Sequence, residues 1–211
     1  MAVNINNAFV GAPPIDGGVY HNAPLGTKLP TSATEKLDKA FKDHGAVGED
    51  GFNVNPQRDS NTEKMFGGED WVDLQTSYTE TVTITLLEED NEAVIESLFG
   101  AANVETKKAT NSDGKKTTIY HTSERLPVQS HVLKAVYGEK AKTYVIERGR
   151  ITSVEKTADV HSASTKYNLT ITAFKGTNPD TNYAYVVEYR DDGTPANAGA
   201  TAGSEGAGSE G

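Results

Sequence analysis

From Val72 to Leu86 the chain alternates without a break. Val72, Leu74, Thr76, Tyr78, Glu80, Val82, Ile84 and Leu86 form one set, and Thr79, Thr81, Thr83 and Thr85 stand between the last of them. A period of two defines a strand with two different faces. One face carries valine, isoleucine and leucine and belongs on a core; the other is a row of hydroxyls, neither charged nor apolar. Strands usually run about 5–6 residues, so the pattern predicts an exceptionally long or bent strand. Such strands suit sandwiches, barrels and sheets that continue into a neighbouring chain.

The same reading extends to the rest of the chain. Residues 1–30 contain "GAPPIDGG" and "APLGTKLP" and read as an arm or connector with one short strand near Gly18–His21. In "TSATEKLDKAFKDHG", Ser32 and Glu35 have capping-box spacing, and Leu37, Ala40 and Phe41 make one apolar stripe before Gly45, which predicts a helix. Asp50-Gly51 predicts a turn, and 52–70 a short strand followed by a polar loop ending at Gly67-Gly68. After the long strand, Asp90 or Asn91 caps a second short helix whose apolar face is Val94, Ile95, Leu98 and Phe99, stopped by Gly100. A hairpin with its turn at Asp113-Gly114 spans about 104–119. Further strands fit 131–137, 142–148, 150–156, 165–174 and 182–190. "NLTITAF" (168–174) repeats the threonine alternation of "TVTITLL" (81–87). The expected organisation is a mainly β domain over 31–190 with one or two short flanking α-helices. The last segment, 191–211, is rich in Gly, Ala, Ser and Glu and without large apolar side chains, which predicts a flexible tail.

Composition narrows the chemistry. The 211 residues contain no cysteine, so a disulfide framework, a zinc–thiolate site and a cysteine nucleophile are excluded. The opening MAVNINNAFV lacks the basic start and apolar run of a signal peptide, and no apolar stretch reaches the ~18–20 residues needed to span a bilayer. A cytosol-like compartment without membrane contact is expected. The formal net charge of −10 disfavours adhesion to DNA or to anionic membrane. The five histidines (21, 44, 121, 131 and 161) lack metal-ligand spacing and read as surface or strand-filling residues. "DHGAVGEDG" lacks the ligand run of a calcium loop. Glu88-Glu89-Asp90 precedes a helix, where its dipole favours acids. No nucleophile motif, phosphate loop or dinucleotide fingerprint is present, so neither enzymatic activity nor a cofactor is expected. One local excess stands out: Lys107, Lys108, Lys115 and Lys116 bracket the hairpin tip against only Glu105 and Asp113. Such a basic finger is either a solubilising loop or a contact with an acidic surface on a neighbouring copy.

The run "NAFVGAPPIDGGVYHNAPLGTKLPTSATEKLDKAFKDHGAVGEDG" and the later "EKMFGGEDWVDLQTSYTETVTITLLE" resemble the major tail, or tail tube, proteins of long-tailed phages infecting mycobacteria and related actinobacteria, over about residues 8–175. The resemblance implies a β-sandwich or barrel-like fold with a flanking helix, six copies per ring, and rings stacked into a tube through which viral DNA leaves. It implies a virion protein made in the host bacterial cytoplasm. Its expected partners are itself and the tail-tip, tape-measure and tail-terminator proteins, with DNA passing through without tight binding. In that setting Thr79, Thr81, Thr83 and Thr85 become candidates for a lumen wall or another sheet face, and Lys107, Lys108, Lys115 and Lys116 for ring stacking. The competing reading is a monomeric β-sandwich binding module of the adhesin or carbohydrate-binding type, which calls for clustered exposed aromatics.

Overall fold

In a computed structural model, which describes residues 3–15 and 17–195, the described residues form ten strands and one α-helix. In chain order these are β1 (Tyr20–Pro24), β2 (Lys42–Asp43), β3 (Val47–Lys64), β4 (Asp70–Leu86), α1 (Glu92–Phe99), β5 (Val104–Lys107), β6 (Lys116–Ile119), β7 (Gln129–Tyr137), β8 (Lys140–Lys156), β9 (Tyr167–Ala173) and β10 (Val187–Asp191). All pairings are antiparallel, and β5 and β6 form a separate hairpin.

The long strand β8 belongs to two half-sheets. Its first half pairs with β7 on one side and β10 on the other, while Gly149–Lys156 pairs with β9. The sequence suggested two strands here; they are one, with Gly149 at the changeover, where a Cβ would press on the His131 ring. The first half-sheet runs β2-β1-β7-β8-β10 and the second β8-β9-β4-β3. Between them lies the main core. Val82, Ile84, Leu86, Leu169 and Ile171 come from β4 and β9, Tyr20, Leu133 and Ile146 from β1, β7 and β8, and Val94 and Leu98 from α1. The alternation of "TVTITLL" and "NLTITAF" therefore buries one face of each strand, as expected.

The helix α1 forms where anticipated. Asn91 is the N-cap, its side chain accepting from Ala93 N at 3.0 Å, and Gly100 ends the helix with φ +87°. The helix expected over 32–45 does not form. That stretch is an irregular loop ending in β2. Glu35, instead of capping a helix, accepts from Thr31 N at 2.7 Å, Thr31 Oγ1 at 2.9 Å and Lys28 Nζ at 3.0 Å. These bonds, the backbone one foremost, hold its carboxyl down at about 2. The loop covers the outer face of the first half-sheet: Leu29, Leu37 and Phe41 pack on Val132 and Val145, and Thr143 Oγ1 donates to Ala33 O at 2.8 Å. A three-turn helix is marginal on its own, and here the sheet takes the same apolar residues from an extended loop.

Three further expectations change. The short strand and polar loop expected over 52–70 are instead strand as far as Lys64, the outer part of β3, an 18-residue strand paired along β4. Gly51, expected in a turn, sits with φ +65° at a bulge inside β3. The strand expected over 182–190 starts only at Val187, after a 3₁₀ turn at Pro179–Thr181. The strand near Gly18–His21 is β1, paired on both sides by β2 and β7. Of the tail expected over 191–211, Asp191 closes β10, and residues 196–211 lie outside the described ones.

Candidate functional site

The outward face of the second half-sheet is built from the positions between the core residues. Cross-strand register sets them in rows: Asn53, Thr83, Thr170 and Ser153 in one, Asn55, Thr81, Thr172 and Arg150 in the next, and Thr85 beside Asn168 below. Thr79 stands opposite Gln57. Thr79 and Thr83 are exposed, Thr81 and Thr85 half-buried. The side chains bond to one another, Thr85 Oγ1 donating to Asn168 Oδ1 at 2.8 Å and the Thr152 and Thr172 hydroxyls meeting at 2.8 Å. The four threonines singled out in the sequence thus share one sheet face with further hydroxyls and amides from β3, β8 and β9. Those other residues could have been found only by knowing the register. Charges enter at the margins, at Glu155 and at Arg150, whose Nε is buried without a hydrogen-bond partner.

Among the described residues this half-sheet has no strand partner on either side: neither the outer edge of β3 nor the Arg150–Lys156 part of β8 is paired beyond its one neighbour. Open edges of this length are templates for pairing with another chain.

Beyond Glu80 the β3–β4 hairpin continues past the body as an arm. Phe66 is fully exposed at its tip, Trp71 is 72% exposed, and Met65, Val72 and Leu74 are exposed as well. The alternation that looks unbroken in the sequence is interrupted: Ser77 pairs with Asp59 but Gln75 with Ser60, leaving Thr76 as an extra residue. A one-residue shift exchanges the two faces of a strand. Val72 and Leu74 therefore lie on the side of the threonines, not of the core. At the root of the arm, Tyr78 packs edge-on against Tyr185, carries the Arg58 guanidinium over its ring at 4.8 Å, and donates to Glu80 Oε2 at 2.8 Å. Glu80 is buried, which raises its pKa.

The basic hairpin forms at the expected place. Thr110 N donates to Asp113 O at 2.8 Å to close its tip. Lys115 pairs with Glu92 at the start of α1 (3.0 Å) and Lys116 with Asp113 (2.9 Å), whereas Lys107 and Lys108 make no ion pair among the described residues.

The histidines are less scattered than their spacing suggests. Tyr20 Oη meets His131 Nδ1 at 2.9 Å and its ring packs on His44. His44 Nε2 meets Ser97 Oγ of α1 at 2.8 Å, and Asn22 Nδ2 donates to the same oxygen at 2.7 Å. His21 lies 3.8 Å from Asp43. Burial pushes His44 and His131 down to about 4. This cluster clamps α1 to β1 and β2. No pattern in the sequence joins residues so far apart. Among the described residues no set of His, Asp and Glu side chains is arranged to hold a metal ion, and no helix is long and apolar enough to cross a membrane.

No protein-family model and no curated protein matches the chain. Solved structures of similar shape include the sheath-tube complex of an extracellular contractile injection system in its extended state, at 7% identity over 87% of this chain and 94% of that one, with a TM-score of 0.43. The tube-terminating cap of the anti-feeding prophage gives 8% identity over 90% of this chain and 100% of that one, TM-score 0.43. A component of the virion of a native gene transfer agent gives 10% identity over 65% and 86%, TM-score 0.38. Similarities this remote decide neither family nor activity, and the functional reading rests on the chain's own residues.

Proposed function

We propose that this chain is a structural virion protein that assembles into stacked hexameric rings, forming a phage tail tube that conducts DNA. The observation that carries the reading is the second half-sheet, which has a core on one side, a neutral hydroxyl-and-amide wall on the other, and two unpaired edges. Joining such edges from copy to copy extends one sheet around a ring and removes every exposed edge. Six copies with four strands each give a barrel of about two dozen strands, wide enough for an open channel. Facing inward, the threonine rows present phosphate with hydroxyls and amides and with one cation, Arg150 at their margin, and the net charge of −10 opposes retention of DNA. The sequence resemblance to major tail proteins points the same way. In this reading Lys107, Lys108, Lys115 and Lys116 meet the neighbouring ring, and the tail-tip, tape-measure and terminator proteins are the further partners.

The exposed pair Phe66 and Trp71 favours the second reading, a monomeric binding module, since aromatic rings on a protruding hairpin are also how such modules hold ligands. Sedimentation and negative-stain microscopy of the purified chain separate the two. Rings or tubes are expected; a monomer that persists at millimolar concentration overturns the tube.

A further inference from the structure

The arm and the basic hairpin carry opposite charge, and the geometry points to them as the two halves of one contact between copies. We infer that the acidic, aromatic-tipped β3–β4 arm of one copy docks on the β5–β6 hairpin and adjoining groove of the next. The inference deepens the self-assembly reading and rests on it.

The arm holds Asp59, Glu63, Glu69, Asp70 and Asp73 against Arg58 and Lys64, around the exposed rings of Phe66 and Trp71. The receiving surface is the reverse. The chain leaving β6 runs from Ile119 directly to His121, which helps line a groove of about 440 Å³ between the end of α1, the 121–126 loop and the unpaired edge of β8. Leu98, Phe99 and Leu126 give it apolar walls; His121, Arg125 and Arg150 line it with only Glu124 as an acid. Lys107 and Lys108, free of ion pairs among the described residues, extend the positive surface along the hairpin. The buried, unpartnered Arg150 Nε is a donor that an incoming carboxylate would satisfy. An aromatic anchor within a charged rim is the arrangement in which few residues carry most of an interface.

The occupant has to be a second copy. Arg150 is level with Thr172 and Thr81, at the root of the arm. From Glu80 to Asp70 the strand rises roughly 30 Å at ~3.3 Å per residue, so the tip cannot fold back into its own groove. A contact of this kind is head-to-tail, and repeated head-to-tail contacts build filaments or rings.

The absence of cysteine makes the test direct. Phe66→Cys and Arg125→Cys are made in separate chains and oxidised under assembly conditions. The mixture is expected to form a disulfide-linked dimer at least about tenfold faster than either variant alone. A second groove, of about 840 Å³, is lined by Phe9, Val19, Ala135 and Tyr144 among others; Phe66→Cys coupling faster to Ala135→Cys in that groove overturns the assignment. A second measurement does not depend on cross-linking. Glu69→Lys with Asp73→Lys reverses the arm in one chain; Lys107→Glu with Lys108→Glu reverses the hairpin in another. Each variant, folded by circular dichroism, is expected to lose assembly. Their equimolar mixture is expected to regain it, because every arm then meets a hairpin of opposite sign. Variants that each assemble like the wild type, or a mixture that stays unassembled, overturn this contact while leaving the tube standing. A wild-type chain that never self-associates overturns both.

Discussion

Between Glu80 and Leu86, β4 sends Val82, Ile84 and Leu86 into a core closed by β7, β8 and α1, with Val82 and Leu86 at 0% exposure. Between Asp70 and Ser77 the same strand leaves Trp71, Val72 and Leu74 in solvent, paired only with the outer part of β3. Both halves have ladder hydrogen bonds and apolar side chains; only the lower half has a second layer facing it. The difference shows what a period of two reports. It fixes that a stretch is extended and two-faced, but a core also requires a partner surface, which depends on residues elsewhere in the chain. The bulge at Thr76 sharpens the contrast by turning the outer apolar residues to the other side of the sheet.

The largest expected effect follows from that contrast. Ile84→Ala removes buried volume from the main core and is expected to cost about 2–5 kcal/mol. Leu74→Ala, on the same strand at 45% exposure, is expected to stay within about 0.5 kcal/mol. Urea denaturation of both variants measures the difference. Similar midpoints would mean that the arm is packed in solution as tightly as the body.

Next comes acidity, which acts on the body and leaves the arm's apolar tip alone. His44 and His131 are held neutral by burial, with folded pKa values of about 4 against an ordinary 6.5. Between those values the unfolded chain binds more protons than the folded one, so stability falls as pH drops from about 6.5 to about 4 and levels off below. A shift of this size corresponds to about 3 kcal/mol per histidine. His44→Gln should remove about half of the fall in that window, His131 supplying the rest, while circular dichroism at the plateau confirms the fold. An unchanged profile would mean that the His44 imidazole is not sealed between Tyr20 and Ser97 of α1.

How far the molecule was legible follows from the same physics. The β4 and β9 alternation, the α1 caps at Asn91 and Gly100, and the Asp113-Gly114 hairpin are local signals, and each appears at its place. The helix expected over 32–45 does not form because Leu37 and Phe41, though spaced for a helix, are taken up by Val132 and Val145, about a hundred residues away. The outer part of β3, "NVNPQRDSNTEK", has little intrinsic strand character and is extended because β4 pairs with it. Of the neutral face, the threonines of β4 were visible. Asn53, Asn55, Asn168 and Ser153 join them only through register, which no local pattern encodes.

Glycines repeat the body–arm comparison on a smaller scale. Gly45 has φ +72°, and a Cβ there would fall within the Glu88 carboxylate that accepts from Ala46 N. Gly68, with φ +94°, faces open space at the turn of the arm. Gly45→Ala is expected to cost about 2–3 kcal/mol, from backbone strain together with displacement of Glu88, and Gly68→Ala about 1 kcal/mol from backbone strain alone. Thermal melts read both; equal losses would remove the steric part of the argument.

The smallest effect on folding belongs to the neutral wall, where the consequence for function is expected to be the greatest. Thr81 and Thr83 look away from the core and lie outside its apolar cluster, Thr83 exposed and Thr81 half-buried. Thr81→Lys with Thr83→Lys should therefore change stability by no more than about 0.5 kcal/mol per site, and the aliphatic stems can lie along the sheet. In an assembled ring the same two changes would place a dozen cations around the wall if six copies face it inward. Each phosphate neutralised adds about −0.9 to the slope of log affinity against log salt for duplex DNA. Wild-type tubes should release DNA at moderate salt, whereas the lysine variant should retain it at low salt and release it steeply as salt rises. A filter-retention series on the two tubes provides the measurement. Equal, weak retention by both would place the threonine face on the outside of the tube or at a contact between copies, and tight binding by the wild type would remove the case for an unobstructed conduit.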